Sequence, residues 1–207
     1  MLRRLGGVVA SDAMKQKPGV KRLTKENWLT PDVTGRAFVE VNAKTGATRP
    51  ATGDGWAEQF LAVDLGEHVP MEVRDMWEVA RGTLLYGWFY YPLYALGEHE
   101  LRRVADAATL HCYRHAGGPP LRKPDCEGKL RWPTFRARVA WLIGQGILPR
   151  SAHGRWEAIV ELRNEGSHAS FRHLVMPTDA LQVLGMLASE IDALFANGPD
   201  RCAAGAL

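Results

Sequence analysis

Three cysteines in 207 residues, Cys112, Cys126 and Cys202, are too few and too far apart for a disulfide framework. Their odd number suits a reducing compartment, and a cytoplasmic location is expected. No apolar run approaches the roughly 20 residues that cross a bilayer, which removes a membrane from the expected partners. The start, "MLRRLGGVVASDAM", has a basic tip, but its apolar patch is shorter than the roughly 7–15 residues of a signal-peptide core. No secretory leader is expected. No internal repeat is visible, and no carboxylate pair or cysteine-rich metal signature accompanies the polar cluster near residues 161–170. Neither metal nor cofactor is expected.

What is present is the balance of a soluble globular protein, 46% hydrophobic and 24% charged. The length fits one domain with appendages, or two small domains. The formal charge of +3 hides a polarity. Residues 1–25 hold seven Lys/Arg against one acid, and residues 114–138 hold seven against two. The rest of the chain is net acidic, so two basic segments sit on an acidic body. That permits contact with a polyanion without demanding it.

Composition and period divide the chain. Residues 1 to about 25 are Lys-rich with few bulky apolar side chains, and read as a disordered or loosely attached arm. "RAFVEVNAKTGATRP" alternates apolar and polar through Phe38, Val39 and Val41 before a Lys-Thr-Gly turn, the pattern of a short β-hairpin. "ATGDGW" reads as loop. From Pro70 the period becomes helical, with Pro70 at the first helical position and Val73, Met76, Trp77, Ala80 and Leu84 at helical spacing. A long second helix carries Leu93, Leu96, Leu101, Val104, Ala108 and Cys112 and stops at Gly117-Gly118. "PPLRKPDCEGKLRWP" is a basic loop. A third helix is capped by Thr134, sets Phe135, Val139 and Leu142 on one face, and stops at Gly144 or Gly146. A fourth, "RWEAIVELRNEGSHAS", turns Trp156, Ile159, Val160 and Leu162 inward. A fifth follows the break at Pro177, opens at Thr178 or Asp179, and closes at Asn197-Gly198. The expected class is all-α: a bundle of about five helices over 66–199, behind an arm and hairpin over 1–65, with a disordered tail over 200–207.

Arg163, Asn164 and His168 cluster at the end of the fourth helix. In a straight helix Asn164 and His168 share a face, about 40° apart, whereas Arg163 and His168 stand about 140° apart. Arg163 and His168 converge if the long Arg stem reaches round, if Gly166 ends or loosens the helix, or if a two-fold dimer brings Arg of one chain to His of the other. The chemistry is that of phosphate-ester cleavage without metal. Histidine trades protons near neutral pH. Arginine holds a permanent charge with a fork suited to phosphate oxygens, and asparagine fixes a tautomer or donates to a phosphate oxygen. A helix end carrying Arg and His for its dipole is the plainer reading.

This "R-N-x-x-x-H" after "RWEAIVEL", two helices beyond "HELRRVADAATLHCYRHAG", resembles the HEPN superfamily. Arg163, Asn164 and His168 match its Arg, polar residue and His at the end of a late bundle helix. The resemblance covers about residues 70 to 197. It implies a HEPN-like helical bundle that dimerises with the motif helices facing, forming a composite ribonuclease site that cuts RNA without metal. Toxin–antitoxin or other bacterial defence systems are the implied setting, with an antitoxin or other protein as a further candidate partner. Relatives without activity serve as RNA-binding, dimerisation or protein-interaction modules. Arg102, Arg103, Arg122, Lys123 and Lys129 are the cations expected to track an RNA backbone.

Three other features have competing readings. His111 and His115, four apart, have metal-chelating spacing or form a polar helix face near its end. "YGWFYYPLY", residues 86–94, offers either a stacking surface for bases or, the better account, core at a helix junction. A DNA-binding helix-turn-helix over 134–164 is disfavoured, because "GILPRSAHG" is long for the turn and Glu157 and Glu161 lie on the recognition face.

Overall fold

The computed structural model describes residues 21–33, 39–41, 44–121, 131–165 and 176–196; at 40, 41 and 163–165 it describes the backbone alone. The expected hairpin is there: β1 (Val39–Val41) pairs antiparallel with β2 (Thr48–Pro50), Glu40 opposite Arg49. Phe38 lies outside the described residues.

The stretch read as loop is instead a helix, α1 (Gly53–Leu61). The Thr52 hydroxyl accepts from Gly55 N at 3.1 Å, satisfying one of the open amides of the first turn. Trp56 and Phe60, four apart, are buried, and Phe60 is fully so. Two glycines and an aspartate resemble a turn locally, and the burial of Trp56 and Phe60 overrides that preference. The bundle core therefore begins before residue 66. Buried aromatic and aliphatic side chains of this kind each contribute roughly 1.5–3 kcal/mol.

The five expected helices follow. They are α2 (Met71–Tyr86), α3 (Leu93–His115), α4 (Phe135–Gly144), α5 (His153–Glu165) and α6 (Pro177–Ala196). Pro70 sits one position earlier than expected, as the N-cap of α2, while Pro177 is itself the first residue of α6. Thr134 caps α4 as expected, its hydroxyl facing Ala137 N. Gly117 and Gly146, at φ +77° and +74°, end α3 and α4 in a left-handed conformation that favours glycine. Among the described residues no helix is long and apolar enough to cross a membrane.

The helix α3 is the hub, packing on α2, α4, α5 and α6. It reverses against α2 across the short connection 87–92. It runs parallel to α6: the His111 ring meets Phe195 near their C-terminal ends, at 5.7 Å. α4 and α5 form a helical hairpin, with Phe135 edge-on to Trp156 at 6.3 Å. Two leucines are corrected: Leu162 is more than a third exposed rather than inward, and Leu96 is half-exposed. The α3 stripe instead passes through Tyr94, Gly97, Glu98, Leu101, Ala105, Ala108 and Cys112.

Part of the stretch expected to be a loose arm is fastened down. Lys21 Nζ donates to Thr30 O at 2.6 Å and Phe89 O at 3.1 Å. Asp32, 2% exposed, accepts from Tyr91 N at 3.2 Å and donates its own amide to Trp88 O at 2.9 Å. Of the six aromatics in 86–94, Trp88, Tyr91 and Tyr94 are core, as the junction reading requires, whereas Tyr86 is exposed.

Candidate functional site

The segment carrying the Arg-Asn motif is held by a well-packed lead-in. Leu148 and Ala152 are buried in the turn before α5, the second within a short 3₁₀ segment, Arg150–Ala152. Trp156, Ile159 and Val160 then bury one face of α5 against α3 and α4. Residue 163 follows Trp156 by seven positions, Ile159 by four and Val160 by three. Its place on the helix is therefore on the core-facing line, with Asn164 about 100° further round. The helix is described through Glu165. The side chains of Arg163 and Asn164, and His168 altogether, lie outside the described residues.

The outer face of α5 is tied to its neighbours by ion pairs. Arg136 of α4 reaches Glu157 at 3.1 Å and also Glu161, which raises its already high pKa chiefly through the Glu161 hydrogen bond. The two acids that spoil a recognition helix are thus engaged with α4. At the start of α5, Arg155 pairs with Glu190 of α6, whose carboxylate is mostly buried.

Of the cations expected along an RNA path, Arg102 lies 2.6 Å from Glu98, both largely buried, so its charge is engaged within the bundle. Arg103 Nη1 donates to both carboxylate oxygens of Glu100, at 3.0 and 2.8 Å, but the side chain is more than half exposed, so it stays accessible. Arg122, Lys123 and Lys129 lie outside the described residues, as do Cys126, His173 and Cys202.

A second polar cluster lies toward the end of α3, of which sequence reasoning named His111 and His115 but not their neighbours Arg138, Asp106 and Trp132. Arg138, 5% exposed, pairs with Asp106 and donates to Pro133 O at 2.5 Å. The Arg114 guanidinium lies over the Trp132 ring at 5.2 Å. The Tyr113 hydroxyl donates to Pro119 O at 2.7 Å, and burial raises its pKa against the opposing effect of Arg138. His111 and His115 stack ring on ring at 4.0 Å, 16° from parallel, and His115 Nδ1 is 2.9 Å from His111 O. The His-x-x-x-His spacing was the available signal, but a stack was not inferred from it. Among the described residues no group of three or more His, Cys, Asp or Glu is placed to hold a metal ion.

Comparisons with family models, curated proteins and solved structures find no match for this chain.

Proposed function

We propose that the chain is a metal-independent endoribonuclease of HEPN type, working as a homodimer in the cytoplasm. The observation that carries this reading is the position of Arg163. It falls on the core-facing line of α5, in the last described turn of a late bundle helix, with a polar residue next to it and a histidine four residues beyond that. In the proposed reaction a ribose 2′-oxygen attacks the adjacent phosphorus and the P–O5′ bond breaks. The 2′-hydroxyl proton goes to a base and the departing 5′-oxygen receives one. The products are a 2′,3′-cyclic phosphate and a 5′-hydroxyl end. His168 serves as general base or acid, Arg163 neutralises the charge growing on the phosphate oxygens, and Asn164 orients. The basic segment with Arg122, Lys123 and Lys129, together with Arg103, guides the strand, whereas Arg102 is engaged with Glu98 inside the bundle.

The test is incubation of purified protein with RNA in EDTA. The proposal expects cleavage with cyclic-phosphate ends, lost in both Arg163→Ala and His168→Ala. Cleavage unaffected by either change removes this site.

One observation favours a second reading, a non-catalytic HEPN-like module that binds RNA or a protein partner. This bundle holds Arg81 and Arg138 buried and Arg102 largely so, each against a carboxylate, so an arginine also has a structural use here. That reading expects a folded dimer that cuts nothing and cells that tolerate its overexpression.

A further inference from the structure

We propose that the outer face of α2 is a self-association surface, on which a second copy of this chain docks antiparallel about a two-fold axis. This surface shares no residue with the α5 motif and does not depend on the cleavage chemistry.

The spacing of α2 builds the centre of the face. Val73, Trp77, Ala80 and Leu84 bury one side of the helix. On the opposite side, helical geometry sets Glu72, Asp75, Val79 and Tyr86 within about 60° of one another. Val79 is 62% exposed and Tyr86 58%, so two large apolar side chains stand in water on a single line. Isolated exposed apolar residues are ordinary; an aligned pair can be covered by one partner helix.

Charge divides the two ends of that line. At the N-terminal end Glu72 and Asp75 are exposed, and neither has an ion-pair partner among the described residues. Glu78, further round, is paired with Arg81. At the C-terminal end the Tyr86 ring meets the Phe89 ring at 6.2 Å, and the Phe89 carbonyl accepts from Lys21 Nζ at 3.1 Å. That bond brings the start of the 21–33 segment to this end of α2. Residues 21–26 hold Lys21, Arg22 and Lys25 against Glu26. None of the three cations is paired with a carboxylate among the described residues, and Lys21 meets only neutral carbonyls.

A face with an apolar centre, an acidic end and a basic end is complementary to itself when one copy is reversed. Two-fold symmetry performs that reversal, setting each end against the other end of the second copy. Asp75 and Phe89 lie seven positions to either side of residue 82. An axis there lays Val79 against Tyr86 of the second copy and brings Glu72 and Asp75 to its basic segment. Glu72 and Asp75 would repel an anionic membrane or a nucleic acid. One helix face is smaller than the roughly 800 Å² per partner of a standard interface, so the association is weak, strengthening with concentration and weakening with salt.

Sedimentation velocity from micromolar to near-millimolar protein tests the surface. The native mass should double as concentration rises, and high salt should reverse it. Val79→Asp should abolish the doubling. So should the pair Glu72→Lys with Asp75→Lys, and separately the pair Arg22→Glu with Lys25→Glu, because each then sets like charges together in its own dimer. Mixed in equal amounts, the two charge-reversed proteins should associate again, since opposite charges meet in both halves of the mixed dimer. All five positions are exposed, and circular dichroism checks that each variant is folded. A native mass independent of concentration overturns the proposal, as does doubling that every variant retains. Failure of the mixture to recover association lost by both charge-reversed proteins overturns the two-fold register. If pairing through α5 also forms, each step reads dimer to tetramer instead of monomer to dimer. RNA cleavage by variants that no longer double keeps the nuclease reading; doubling by a protein that never cuts RNA keeps the α2 surface alone.

Discussion

Gly97 of α3 lies so close to Leu84 of α2 that a Cβ built on it would stand 2.5 Å from Leu84 Cδ2 and 2.6 Å from its Cγ. The crossing of the two helices depends on that missing methyl group. Gly82, one turn from the start of the contact, has nothing within 4 Å of such a Cβ. The same substitution should therefore act in opposite directions at the two sites. Gly82→Ala should stabilise by up to about 1 kcal/mol through helix propensity alone. Gly97→Ala gains the same propensity but forces Leu84 to move, and overpacking of this kind costs about 1–3 kcal/mol. Urea midpoints of the two variants check the sign; stabilisation by Gly97→Ala would contradict the close crossing.

Arg138 and Asp106 join α4 to α3 from largely buried positions. Removing one partner of a buried pair strands the other charge, at about 3–5 kcal/mol when burial is complete. Asp106 keeps a quarter of its side chain in solvent, so Asp106→Asn should cost less, about 2–3 kcal/mol. Chemical denaturation measures it. A loss below about 0.5 kcal/mol would mean the pair behaves like one on the surface.

Alkaline stability should depend on Tyr94. Burial raises its pKa far above the usual 10.0, Tyr91 and Asp32 add to the rise, and a Trp56 hydrogen bond offsets part of it. The folded chain keeps this proton where the unfolded chain gives it up. Its contribution is therefore intact below pH 10 and is lost above it, by about 1.4 kcal/mol per pH unit for one group. Tyr94→Phe should flatten the fall in urea midpoint between pH 9.5 and pH 11 (approximate working limits). Parallel curves for the two proteins would place the tyrosinate cost elsewhere.

The fastening of residues 21–33 rests on Asp32. Asp32→Ala leaves the Tyr91 amide without its carboxylate, a deficit of about 1–3 kcal/mol for a buried donor. Because proteolysis follows local opening, trypsin should cut at Arg22 and Lys25 roughly five- to a hundred-fold faster. Unchanged cleavage would mean that Lys21 alone suffices.

Helical period made α2 to α6 legible, because Val73, Trp77, Ala80 and Leu84, or Phe135, Val139 and Leu142, mark one face without interruption. It failed where a buried face carries charge or none of its usual residues. The α3 stripe passes through Gly97 and Glu98, so Leu96 looked inward and is not. α1 is short and begins with glycines, leaving Trp56 and Phe60 as its only signal. The partners of Arg138 and Arg136 lie 32 and 21 residues away, beyond the reach of any local pattern. At the candidate site, the helix and the position of Arg163 on it were readable from spacing. The pairing of Glu157 and Glu161 with Arg136 required the tertiary arrangement.

Subunit mixing tests the central claim most directly. Arg163→Ala and His168→Ala proteins, each inactive alone, are combined, allowed to exchange subunits, and assayed on RNA in EDTA. A site that takes Arg163 from one chain and His168 from the other is intact once in each mixed dimer, so about a quarter of the native rate should return. No recovery in a mixture shown to contain mixed dimers would contradict a composite site.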